Sequence, residues 1–296
     1  MASSAAAPDQ PFHVRSISLP SRPHPVAVKI KEELQNLKAA ATSSLSTTDI
    51  CNGLRDVGNL YDSVEELLHL PSLQQTVFGS AQKRRLEDEL EVSVMLLDLV
   101  DNMKDSLVAM NEHVRDLRLA LRRRGNKNLQ EKEHQHFRAR KGIQRNVNKC
   151  CKALKQMDER CGVLVPLEKD TDLSLVVRAL VESGDVTLSV LDSVLQLLSL
   201  QWKKPKVGRW SFLLKGIRRS KVACEDAQQK KAKDLSLCFS YRCIVNKDVD
   251  GERILQAQGE LNAAEATIVA LKHELGSLMR RLIQCRVSFL NLLSLS

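Results

Sequence analysis

The sequence predicts an all-α protein: an elongated bundle of long antiparallel helices with coiled-coil-like packing, behind a disordered N-terminal tail. Three observations carry this reading. Apolar residues recur in steps of three and four from Ile254 through Ala257, Leu261, Ala264, Ile268, Leu271, Leu275, Leu278, Leu282, Cys285 and Phe289 to Leu292. That is one heptad seam sustained over several repeats, the signature of a long helix laid along a partner helix. The 296 residues hold only 12 Gly and 8 Pro, so turns are few. Only 3% of residues are aromatic, and Leu, Val and Ala dominate an apolar fraction of 43%. Few turns and many leucines suit helices, not a sandwich or barrel. The partner of the seam is expected within the same chain, with self-association through this C-terminal helix as the alternative.

Residues 1–24 read as a tail. Pro8, Pro11, Pro20 and Pro23 preclude a helix, and there is little to bury. The tail contains Arg15-Ser16-Ile17-Ser18-Leu19-Pro20. Arginine three before Ser18 suits a basophilic kinase, and Pro20 lets the chain turn out of a groove. This is the R-S-x-S-x-P pattern read by 14-3-3 proteins, in which a phosphate of nearly two charges is captured by an Arg cluster.

From residue 25 to 296 the pattern is a single helical-bundle domain, with a poorly ordered basic loop near 203–250. Pro25 suits a first helical turn. Val26, Ile30, Leu34 and Leu37 then give one stripe. The Ser/Thr run from Thr42 to Thr48 offers a cap for the next helix, whose stripe runs from Ile50 to Leu68 and ends before Pro71. Gly53 and Gly58 weaken that helix and permit close packing.

Residues 81–124 form the next long helix, with Leu86, Leu90, Val100, Leu107, Met110, Val114 and Leu117 on one side. Its methionines read as core filler. Arg122–Arg124 and Gly125 end it. Residues 129–160 form a basic amphipathic helix with Phe137, Ile143, Val147, Cys151 and Leu154 facing inward. Arg138, Arg140, Lys141, Arg145, Lys149 and Lys152 crowd the remainder. Residues 171–202 carry another leucine stripe with a kink expected at Gly184. The heptad helix spans 250–292.

Charge divides the chain. Residues 122–160 hold thirteen Lys/Arg against four Asp/Glu, and residues 203–233 eleven against two. The formal net charge is +9, so the remainder is acidic. The basic faces are expected to be solvated and to pair with the acidic helices. An anionic membrane surface is the next reading. Nucleic acid is disfavoured, because no aromatic residues are interleaved for stacking.

The eight cysteines form no CxxC pair and read as reduced thiols of an intracellular protein. A zinc site from Cys238, Cys243 and a distant His is set aside. No apolar run is long enough to cross a membrane. The expected location is cytoplasmic or peripheral to a membrane, with a plastid as the lesser alternative on the Ser/Ala-rich start. There is no Gly-rich phosphate loop, HExxH or GxSxG. His134 and His136 fall on different helix faces, and His69 and His113 read as isolated surface or capping residues. No catalytic residue, metal or cofactor is expected, and the protein is read as non-enzymatic.

Five stretches in order carry a resemblance. They are the tail His13–Pro25; Leu60-Tyr61-Asp62-Ser63-Val64-Glu65-Glu66-Leu67-Leu68 with Leu70-Pro71; Leu121–Arg124; Val177-Arg178-Ala179-Leu180; and Arg280-Arg281-Leu282-Ile283 with Arg286-Val287-Ser288-Phe289-Leu290-Asn291. Together they resemble the plant-specific Bypass-one-like family over about residues 12–296. The resemblance implies an all-helical plant protein linked to root and shoot development, and it brings no catalytic residues. The stretch 235–250, with Cys238, Cys243 and aromatics, departs from the polar linker expected there. The sequence thus predicts a helical interaction protein regulated through Ser18, with an anionic-lipid-binding peripheral protein as the alternative.

Overall fold

A computed structural model describes residues 24–40, 46–75, 80–122, 129–161, 172–200 and 251–295. The tail motif of Arg15, Ser16, Ser18 and Pro20 lies outside the described residues, as does the basic loop near 203–250. Among the described residues there are seven helices and no strand.

Helix α1 (Pro25–Ala40) starts on its proline and buries Val26, Ile30, Leu34 and Leu37. Helix α2 (Thr47–Leu68) is capped by Ser46, whose hydroxyl accepts from the Asp49 amide at 3.1 Å. It ends at His69, whose Nδ1 lies 2.8 Å from the Glu65 carbonyl oxygen. Pro71 then opens a single turn, α3 (Pro71–Gln74). The long helices follow: α4 (Ser80–Arg122), α5 (Leu129–Cys161), α6 (Asp172–Leu200) and α7 (Gly251–Leu295). Helix α6 is helical through Gly184.

Every seam residue of α7 from Ala257 to Leu292 is buried, including Leu261, Ile268, Leu271, Leu275, Leu278, Leu282 and Phe289. The seam is filled from within the chain, by α4 on one side and α2 on the other. Fully burying a Leu, Ile or Phe contributes about 1.5–3 kcal/mol, whereas a surface ion pair contributes about 0–1 kcal/mol. Packing therefore holds α7, and charge tunes its register.

That register is legible in the polar contacts. On the α4 side, Arg118 and Arg115 meet Glu265, Lys104 Nζ reaches Met279 Sδ, and Arg286 donates to Ser93 Oγ. Rising numbers on α4 meet falling numbers on α7, so the pair is antiparallel. On the α2 side, Arg55 meets Glu274 and Asp62 meets Arg281, at 2.7 and 3.1 Å. Both numbers rise together, so α2 and α7 are parallel neighbours. Direction reverses at each long helix, and three of them separate α2 from α7. The same alternation makes α6 parallel to α4 and to α1, so parallel and antiparallel neighbours are mixed in the bundle.

Helix α6 packs on α2 and α4 and completes the ring. Helix α1 lies against α2 and α6, and α5 against α4 and α6. One continuous apolar core joins all seven helices. Met103, Met110 and Met157 are among its fully enclosed side chains, as core filler should be.

Candidate functional site

Helix α5 has two unlike faces. The buried one carries His136, Ile143, Val147, Cys150, Leu154 and Met157. Their spacing of seven, four, three, four and three follows the helix period. Phe137, expected inside, is 58% exposed instead. It stands about 100° around the helix from His136, so only one of the two can face the core, and the periodic set includes His136.

Opposite the buried face, Arg138, Lys141, Arg145, Lys149 and Lys152 are all exposed. At about 100° per residue they fall within an arc of roughly 80°, in a row on the order of 20 Å long. Arg140 does not belong to this row. It lies on the other side, half-buried near His113 and His136, whose proton affinity burial lowers with a smaller contribution from Arg140. The expectation that the basic face pairs with acidic helices is corrected here. Helix α5 packs on α4 and α6, and on α7 Glu265 meets Arg115 and Arg118 and Glu274 meets Arg55. None of the five row cations forms an ion pair with another described residue. Five like charges on one solvent face repel one another, and an anionic partner relieves that repulsion. Phe137 flanks the row as an exposed ring.

A small cavity lies between four of the helices. The cavity, of about 30 Å³ and partly open, is lined by Tyr61 of α2, Glu89, Val92, Ser93 and Leu96 of α4, Leu180 and Gly184 of α6, and Leu282, Cys285, Arg286 and Phe289 of α7. Burial pushes the Glu89 carboxyl up to about 7, with Asp185 and Asp88 adding to the effect. Arg286 Nη1 is committed to the Leu90 carbonyl and Ser93 Oγ. Burial also raises the Cys285 thiol to about 12, so it is protonated and a poor nucleophile. Among the described residues Cys51, Cys150, Cys151 and Cys285 are free thiols. Among the described residues no group of three or more His, Cys, Asp or Glu is placed to hold a metal ion.

His113 and His136 are the residues that sequence reasoning missed. Both are buried, where His113 was expected at the surface. The available signal was positional: His113 falls three after Met110 in the core stripe of α4, and His136 seven before Ile143 in that of α5.

Fold and surface together define an all-α bundle with one continuous apolar core and a cationic outer face on α5. The sequence model of the plant family described as Protein BPS1, the Bypass-one-like family, matches residues 53–292, and the chain belongs to that family. The match runs from within α2 almost to the end of α7, so it takes in both parallel neighbours. No curated protein and no solved structure matches the chain. Membership implies a role in plant development. Among the described residues no helix is long and apolar enough to cross a membrane.

Proposed function

We propose that this protein is a non-enzymatic adaptor in root and shoot development, which binds an acidic protein partner through the outer face of α5. One observation carries the proposal: Arg138, Lys141, Arg145, Lys149 and Lys152 are aligned, exposed and unpaired among the described residues, directly opposite the face that anchors the helix. Such a row steers and orients an anionic surface more than it adds raw affinity. The tail motif adds regulation. Phosphorylation of Ser18 creates a doubly charged ligand for a 14-3-3 protein, with Arg15 and Pro20 supplying the kinase and groove preferences.

The test is affinity purification from plant tissue of the wild type, of Ser18→Ala, and of a Lys141→Glu/Arg145→Glu/Lys149→Glu variant. The row variant should lose its acidic preys while keeping wild-type melting. The Ser18 variant should lose 14-3-3 proteins alone. Unchanged prey lists for the row variant would remove the α5 reading.

A second reading is favoured by the exposed Phe137 beside the row. An aromatic ring flanked by cations suits the headgroup region of an anionic bilayer. Flotation with phosphatidylserine vesicles, lost at high salt and in the row variant, would assign α5 to a membrane instead.

A further inference from the structure

Five of the nine large apolar side chains that the described residues expose lie on α7. Leu255, Val269, Ile283, Val287 and Leu290 are between 43% and 69% exposed. Leu255, Val269, Ile283 and Leu290 are separated by multiples of seven, and Val287 falls four after Ile283 and three before Leu290. They share the face opposite the buried seam. The C-terminal part of this second stripe is free of charge. From Leu282 to Leu295 the only charged residue is Arg286, and it turns inward to α4.

We propose that this face is an interface between two copies of the chain, an antiparallel α7–α7 crossing centred between Arg286 and Val287. The inference goes beyond the α5 reading and is independent of it. The first argument is register. A two-fold axis at that point sets Ile283 opposite Leu290 of the partner subunit, and the two Val287 side chains beside each other. The apolar triple is thus complementary to itself, as an isologous interface requires.

The second argument is charge. In this arrangement Arg280 stands opposite the last turn of the partner helix, where a cation complements the carbonyl end of the dipole. A parallel pairing in register would set Arg280 against Arg280 and His273 against His273. The third is area. Residues 280–295 make a strip roughly 24 Å long and 12 Å wide, on the order of 300 Å² per copy. Stable interfaces bury about 800 Å² per partner, so the contact is a weak, exchanging dimer and not an obligate one.

Sedimentation velocity of the full chain from about 1 to 200 µM, a range that spans weak association, tests this. The wild type should shift from monomer toward dimer across that range. Val287→Glu, which places like charges together at the axis, should remain monomeric with unchanged helicity and melting, because the position is exposed. Under mild oxidation Val287→Cys should form disulfide-linked dimers at least about tenfold faster than the wild type, whose Cys285 is buried. Val269→Cys should stay at the wild-type rate. A monomer at every concentration overturns the proposal, as does unchanged association of Val287→Glu. Equal linking through Val269→Cys overturns the antiparallel arrangement. Flotation on neutral phosphatidylcholine vesicles, lost in Val287→Glu, would give the face to a membrane.

Discussion

His113 of α4 and His136 of α5 meet ring to ring, with centroids 4.7 Å apart and planes inclined by 31°. Neither is near solvent. Two imidazoles at this distance cannot both carry a proton without strong repulsion, and the surrounding apolar core already disfavours one charge. The pair therefore belongs to the packing of α4 on α5 as two neutral rings.

The consequence is acid sensitivity. Burial lowers His113 to about 4, with Arg140 helping. Burial lowers His136 likewise to about 4, with His113 and Arg140 helping. A histidine whose proton affinity is depressed by folding stabilises the fold fully above its unfolded value near 6.5. That contribution is lost as pH falls through about 4. At about 1.4 kcal/mol per tenfold change in proton affinity, each ring contributes roughly 3 kcal/mol at neutral pH relative to acid. Urea unfolding should show the wild type markedly less stable at pH 4.5 than at pH 7. His136→Leu should flatten that difference by about half. Equal slopes for both proteins would mean that the pair is not neutral in the fold.

Glu89 works in the opposite direction. Burial raises its carboxyl, the negative charges of Asp185 on α6 and of neighbouring Asp88 add to the effect, and Arg286 in the same cavity is held by other acceptors. An acid raised to about 7 stabilises the fold fully below its unfolded value near 4.5. That contribution is lost as pH rises through 7. Glu89→Gln removes the charge and keeps the shape. It should unfold at higher urea than the wild type at pH 8, by about 1–2 kcal/mol after allowing for partial exposure. The two proteins should converge near pH 4.5. Two histidines outweigh one glutamate, so the wild type still loses stability on acidification.

Gly58 and Arg281 form a coupled pair between the parallel neighbours. A methyl group at Gly58 would overlap the Arg281 guanidinium, which lies across α2 to Asp62 and to the Arg55 carbonyl. Alanine is better than glycine in a helix by about 1 kcal/mol. In the wild type that gain should vanish, because Arg281 is displaced from Asp62. In an Arg281→Ala background Gly58→Ala should stabilise by about 1 kcal/mol. Thermal unfolding of the four proteins closes the cycle, and additive effects would show that the guanidinium moves aside freely.

Much of this fold was legible because its signals are local. Pro25, Ser46 and the unbroken seam from Ala257 to Leu292 mark helices that the structure places within three residues of the expected bounds, close to the usual margin for helix ends. What escaped depends on partners. Apolarity favours Phe137 over His136, and only the facing His113 makes His136 an acceptable core residue. The row on α5 was half legible. Composition gathered six cations, but angular position separates Arg140 from the other five. The parallel contact of α2 with α7 has no sequence signature, since both present ordinary amphipathic stripes. The tail motif and the basic loop near 203–250 lie outside the described residues.

The seam allows packing to be weighed against charge on one helix. Leu275 is wholly buried between α2 and α4, one residue after Glu274, which meets Arg55. Leu275→Ala leaves a cavity among side chains held by three helices and should cost about 2–5 kcal/mol. Leu275→Asp adds an unpaired buried charge and should cost more. Glu265→Gln weakens the contacts to Arg115 and Arg118, which remain partly in water, and should cost no more than about 1 kcal/mol. Added salt should narrow the Glu265→Gln difference while leaving Leu275→Ala unchanged. Urea midpoints at low and high salt measure all four quantities. If Glu265→Gln proved the costlier change, α7 would be held by its ion pairs and the heptad would be incidental. The order expected here makes the heptad the reason that α7 lies where it does, and the ion pairs the reason that it lies in one register.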